Sequence, residues 1–162
     1  VPATDGTSVW LPAEVDLADD DLIGLCYRTM ALSQAMRARR GSALAVRDIA
    51  AGLVADAYLL LEAYTADEEL AAMLPGLAKS IDELRRTALA RRPPIDRFPP
   101  RRQSLEALAR ELLESRCGHP VDAGLVTASP AQSLALAERI NAIFYKNWKM
   151  LRPKEMKERN WL

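Results

Sequence analysis

Residues 46–64, VRDIAAGLVADAYLLLEAY, decide the fold. Val46, Ile49, Leu53, Ala57, Leu60 and Tyr64 recur at three- and four-residue intervals, the period of one helix face, and Val54, Tyr58 and Leu61 broaden that face. A stripe so wide needs cover from more than one neighbour, so the spacing predicts a central helix in an all-α, antiparallel bundle of four to five helices. Strand signals are confined to Thr7-Ser8-Val9-Trp10-Leu11, which alternates after an Asp5-Gly6 turn and predicts a short extended N-terminal segment within residues 1–18.

Punctuation on either side sets the remaining elements. Asp19, Asp20 and Asp21 suit a helix amino terminus, where the macrodipole favours negative charge. Leu22, Cys26, Met30 and Ser33 continue the period towards Gly41, with Arg37, Arg39 and Arg40 in the last turn, the ordinary composition of a helix end. Thr65 followed by Asp67, Glu68 and Glu69 reads as a fresh helix start, with the acids complementing the dipole, and Pro75-Gly76 as a break before Leu77. Residues 91–102, RRPPIDRFPPRR, combine four prolines with five arginines and predict a stiff connector that no helix runs through. Ser104 is the expected cap of a helix carrying Leu105, Leu108, Leu112 and Leu113, stopped by Gly118 and Pro120. Ser129-Pro130-Ala131-Gln132 is a capping box with proline at the first helical position, opening a last helix through Ile140, Phe144 and Trp148 that Pro153 should end. The bundle is thus expected over residues 19–152, with 153–162 as a C-terminal tail.

Composition narrows the function classes. The 162 residues are 49% hydrophobic and 27% charged, the balance of a single globular domain rather than a disordered or disulfide-framed chain. Twenty-two basic and 22 acidic side chains cancel, so no global field recruits nucleic acid or anionic lipid, and such binding would need a local patch. Cys26 and Cys117 stand far apart in no metal-ligand spacing and suit buried thiols in a reducing cytoplasm. The sequence has no apolar run of membrane-spanning length and no basic stretch leading into an apolar one at its start, so a cytoplasmic, unexported protein is expected. The opening Val1-Pro2-Ala3 is compatible with a processed or excised piece.

Chemistry-bearing residues are few. Phosphate-loop, dinucleotide, nucleophile-elbow and zinc-protease motifs are all missing, and the single histidine, His119, lies in the helix-ending turn Cys117-Gly118-His119-Pro120. Asp67-Glu68-Glu69 resembles an acidic metal patch, yet consecutive helical residues point about 100° apart and cannot share one ion. Glu62 follows Leu59-Leu60-Leu61 in the most apolar helix, with Asp56 six residues before it. Either is a buried acid with a raised pKa or, more ordinarily, an arginine-paired residue at the edge of the stripe. A small helical enzyme working through Glu62, Asp56 or His119 is the weakest of three readings; no catalytic residue, metal or cofactor is assigned.

The remaining candidates are surface features. Arg91, Arg92, Arg97, Phe98, Arg101 and Arg102 make the connector a basic strap suited to a protein partner, and the tail after Lys146 adds Trp148 and Trp161, either docking residues or core. A nucleic-acid-binding bundle using the stretch from Arg85 to Arg102 is the alternative, weakened by the lone aromatic, Phe98.

Several pieces in this order resemble a known family: Asp5-Gly6 with Leu11-Pro12-Ala13-Glu14-Val15-Asp16, Tyr27 with Met30-Ala31-Leu32, Tyr58-Leu59-Leu60-Leu61-Glu62-Ala63, and Leu74-Pro75-Gly76-Leu77. Over residues 5–115 the chain resembles the helical region that precedes the von Willebrand factor A domain of NorD- and CbbO-type proteins, partners of MoxR-class AAA+ ATPases. The resemblance implies a non-enzymatic adaptor that couples such an ATPase to a client enzyme, in rubisco activation or nitric oxide reductase maturation. The Asp-x-Ser-x-Ser metal motif of the von Willebrand domain does not occur in the chain, and the residues after Trp148 match nothing in the family, so no site residue carries over.

Overall fold

The computed structural model describes the backbone of residues 2–15, 20–119 and 122–158, and the side chains of residues 2–15, 23–119 and 122–146. In chain order the elements are β1 (Ala3–Thr4), β2 (Val9–Trp10), α1 (Asp20–Arg40), α2 (Ser42–Val46), α3 (Leu53–Met73), α4 (Ala78–Ala90), α5 (Pro100–Glu114) and α6 (Pro130–Glu158). Single 3₁₀ turns occupy Pro75–Leu77, Ile95–Arg97 and Ala123–Leu125. The fold is all-α, as its periodicity predicts. The extended N-terminal segment is a two-stranded hairpin pairing Ala3 with Trp10 and Thr4 with Val9. Asp5 closes it, its carboxylate accepting from the amides of Thr7 at 2.8 Å and Ser8 at 2.7 Å.

Helix α3 is the axis. Ser33 of α1 bonds Asp67 while Ser42, past the end of α1, bonds Glu62, so α1 runs antiparallel to α3. Arg85 of α4 meets Glu68, and Ser133 near the start of α6 meets Glu62. Neighbours on several sides bury most of α3, though Leu59 and Met73 stay exposed, and explain why its apolar residues do not segregate to one face. Its amino-terminal half places Ala57, Tyr58 and Leu61 against Ala137 of α6, and its carboxy-terminal half places Ala66, Leu70 and Ala71 against Met36, Ile81 and Cys117. Leu61 is wholly buried, and burial of a leucine side chain stabilises by about 1.5–3 kcal/mol. Between the two apolar clusters lies a layer of buried polar groups.

Four boundaries differ from expectation. The apolar stripe of residues 46–64 is shared by two helices: α2 ends at Val46, α3 starts at Leu53, and Ile49 lies in the turn between them. All three parts still meet one cluster, because periodicity reports which side chains turn inward and not whether the backbone between them is continuous. Second, α3 passes straight through Thr65, whose following acids Glu68 and Glu69 need no helix start because Arg85 of α4 and Arg40 of α1 meet them. Third, α5 begins at Pro100, inside the predicted connector, and Ser104 lies within the helix rather than capping it. Proline at the first helical position lacks only a hydrogen bond that position never makes. Fourth, α6 continues beyond Pro153 to Glu158, since a proline deletes one ladder bond without preventing later residues from making theirs.

Other expectations hold. Gly41 follows α1 at φ 79°, a left-handed conformation that favours glycine, and turns the chain into α2. Pro75-Gly76 interrupts the helices with a 3₁₀ turn. At the start of α6 the Ser129 hydroxyl accepts from the Gln132 amide at 3.3 Å, while the Gln132 side chain accepts from Ala128, one residue upstream of a regular capping box. Asp19 lies outside the described residues.

Candidate functional site

The polar layer across α3 is built on Glu62, which is completely buried. Its carboxylate accepts from Arg40 Nε at 3.1 Å and Nη2 at 2.9 Å, from Ser133 Oγ at 2.5 Å and from the Ser42 hydroxyl. Ser133 spends its proton on Glu62, so the 2.5 Å contact between Thr127 and Ser133 has Thr127 as donor. Arg40 also meets Glu69 and donates to the carbonyl and hydroxyl oxygens of Thr127, each at 3.2 Å. Burial by itself would raise the pKa of Glu62, but hydrogen bonds from Arg40, Ser133 and Ser42 outweigh it and hold the carboxyl below its ordinary value. The same burial, with the Glu62 charge beside it, pushes Tyr58 up to about 12, and its hydroxyl donates to the Ser42 carbonyl at 2.9 Å.

A second buried arginine serves the other acids of α3. Arg85 lies 3.0 Å from Glu68 and 3.5 Å from Asp67, with its guanidinium 4.8 Å from the centre of the Tyr64 ring. Glu68 also accepts from the Gly118 amide at 2.8 Å and Asp82 from the Cys117 amide at 2.8 Å, which staples the loop after α5 to α3 and α4. The Asp67-Glu68-Glu69 run is therefore divided between Arg85 and Arg40 rather than gathered on an ion. Among the described residues no cluster of three or more histidine, cysteine or acidic side chains is placed to hold a metal.

These environments limit the chemistry. Glu62 is shifted towards ionisation, opposite to a general acid near neutral pH, and its partner is fixed. Burial, reinforced by Glu68, Asp67 and Asp82 against Arg85, pushes Cys117 up to about 12, and burial raises Cys26, so both thiols stay protonated and weakly nucleophilic. His119 is exposed in a turn where its amide donates to the Arg116 carbonyl at 3.0 Å. Asp56 is at the surface, 2.9 Å from Arg102.

The connector is where the predicted partner-binding residues come together, in part. Arg92 forks onto Glu106 of α5 through Nε at 2.7 Å and Nη2 at 2.5 Å, and Arg110 approaches the same carboxylate at 2.9 Å. Hydrogen bonds from Arg92 hold Glu106 below its usual pKa. Arg110 also donates to the Pro93 carbonyl and Gln103 to that of Phe98 at 3.0 Å, so the strap is tied to α5 at three points. Arg92 is thereby anchored on α5. Arg91, Arg97, Arg101 and Arg102 are exposed, and Phe98 is half-buried. Phe98, Arg92, Arg102, Leu60, Leu105, Asp56 and the buried Glu106 line an open cleft of about 180 Å³. Arg101 instead faces a larger groove of about 660 Å³ between residues 48–54 and the 134–145 stretch of α6, lined by Ile49, Leu53, Leu134, Phe144 and Tyr145.

Trp148 falls on α6, but its side chain, like the whole of Trp161, lies outside the described residues. The Arg40–Glu62–Ser133 layer was not legible as a unit. Its one signal is a carboxylate on an apolar face, which calls for a cation; that the cation would come from Arg40, and that the pair would be buried rather than at an edge, needed the packing. Among the described residues no helix is long and apolar enough to cross a membrane. No protein-family model, no curated protein and no solved structure matches the chain.

Proposed function

We propose that the chain is a non-enzymatic helical adaptor module whose connector face, residues 91–102, engages a protein partner. The observation that carries this reading is the strap itself: four prolines and three side-chain ties hold it on α5 while Arg91, Arg97, Arg101 and Arg102 remain exposed. A loop already rigid in its bound shape loses little conformational entropy on docking, and arginine is among the residues that anchor protein interfaces. Glu62 and Glu68 support the same reading, since each is buried against an arginine rather than facing an open pocket suited to a substrate. In the role that the family resemblance implies, the partners are a cytoplasmic MoxR-class AAA+ ATPase and its client enzyme.

The test is retention of purified MoxR-type ATPase and client on the immobilised chain. Saturable retention that falls about tenfold or more when Arg97 and Arg101 are both replaced by alanine is expected. A correctly folded chain that retains neither protein would refute the adaptor reading. Saturable, salt-steep capture of nucleic acid by the same face would instead favour the basic-patch alternative.

A further inference from the structure

The cleft beneath the strap has a feature that identifies what docks there, on the adaptor reading above. Its two arginines are held differently. Arg92 is forked onto Glu106, only 3% exposed, and is fixed. Arg102 is 53% exposed and meets a carboxylate, Asp56, that is itself 40% exposed. An ion pair between two such groups is screened by water and contributes little to the fold, so Arg102 can exchange Asp56 for another carboxylate at small cost. Beside this pair the cleft is apolar, with Phe98, Leu60, Leu105 and Ala109 on its walls, and its volume of about 180 Å³ suits one aliphatic side chain rather than a helix. Residues 91–102 carry five arginines and a single acid, Asp96; with Arg92 held by Glu106 and Arg101 facing the other groove, Arg91, Arg97 and Arg102 remain as exposed positive charges.

We infer that this cleft is a subsite for an acidic protein segment, in which a partner carboxylate displaces Asp56 from Arg102 and a neighbouring aliphatic side chain enters between Phe98 and Leu105. Asp56 is then an internal stand-in for the ligand, keeping Arg102 oriented until the partner arrives. The geometry favours protein over nucleic acid for two reasons. A continuous phosphate backbone crossing the cleft would run over the exposed Asp56 carboxylate, and Phe98, the one aromatic of the strap, is half-buried and so a poor platform for base stacking. A single carboxylate on Arg102 meets neither obstacle, because it replaces the very acid that is there.

The experiment is fluorescence anisotropy with a fluorescein-labelled octapeptide alternating Glu and Val, its Gln-for-Glu counterpart, and oligothymidine of matched length. The full chain and its Arg102→Ala and Asp56→Asn variants are compared, all three checked for unchanged circular dichroism and melting. The Glu peptide should bind, its Gln counterpart about tenfold or more weakly, and Arg102→Ala should weaken the Glu peptide to a similar extent. Asp56→Asn should tighten it by about threefold, because it removes the competing carboxylate; a merely structural Asp56 would give no gain. Equal binding of the Glu and Gln peptides, no tightening in Asp56→Asn, or binding of oligothymidine without the Glu peptide would each overturn the proposal. If the unmutated chain retains the ATPase on the column but does not bind the Glu peptide, the subsite falls and the adaptor reading stands.

Discussion

Replacing Glu62 by glutamine tests the polar layer of the core most directly. The substitution keeps the shape of the side chain and removes its charge, leaving Arg40, whose side chain is 5% exposed, with Glu69 and Thr127 as its remaining acceptors. Removing one partner of a buried ion pair costs about 3–5 kcal/mol, because the survivor keeps its desolvation penalty without its counter-charge. Glu69 still neutralises part of Arg40, which places the expected loss near the lower end, about 3 kcal/mol. For a domain of this size that corresponds to a fall in Tm of roughly 6–12 °C. Urea unfolding followed by far-ultraviolet circular dichroism at neutral pH measures it. The loss should also depend on pH. The folded-state pKa of Glu62 lies below its ordinary value of 4.5, so its ionisation stabilises the fold fully above that value. That stabilisation disappears as pH falls through the lowered folded-state pKa, and the gap between wild type and Glu62→Gln should close in the same interval. A loss under about 1 kcal/mol at neutral pH, or a gap that persists in acid, would refute an ionised, arginine-held Glu62.

Three further outcomes follow from burial and backbone geometry. Leu61→Ala, at a fully buried site, should cost roughly 2–5 kcal/mol in urea unfolding, whereas Leu53→Ala and Ile140→Ala, which the stripe marks as core but the structure leaves half-buried, should each cost less than about 2 kcal/mol. Gly41→Ala should cost about 1–2 kcal/mol by the same assay; no atom lies within 4 Å of the added Cβ, so the whole effect comes from placing a side chain at φ 79°. Cys117, with its thiol pushed up to about 12, should be alkylated by iodoacetamide at pH 8 at least about a hundredfold more slowly in the folded chain than in urea, as followed by peptide mass spectrometry.

Of the residues buried around α3, Ala57, Tyr58 and Leu61 belong to the stripe read from the sequence, whereas Met36, Ala66, Leu70, Ala71 and Ile81 emerge only from the packing; the breaks at Gly41 and Pro75-Gly76 were legible because each rests on backbone stereochemistry that acts within a few residues. The missed boundaries share another cause. Thr65 carries every local mark of a helix start, yet α3 runs through it because Arg40 and Arg85, distant in sequence, supply the charge that a helix terminus would otherwise provide. Pro100 opens α5 because the first helical position tolerates it and α5 packs against α4 and α6.

The candidate site divides along the same line. A restricted, arginine-rich stretch around the four prolines follows from composition, since proline limits the chain whatever surrounds it, although α5 takes up its last residues from Pro100. Which arginines it displays does not: Arg92 turns in to Glu106, Arg102 turns out to Asp56, and Arg101 faces a different groove. Local sequence thus determined the all-α class, the central apolar helix and the stiffness of the strap, because those arise from short-range periodicity and backbone restriction. Side-chain hydrogen bonds and ion pairs joined residues up to 87 positions apart, as between Arg40 and Thr127, and were decided only when the helices packed.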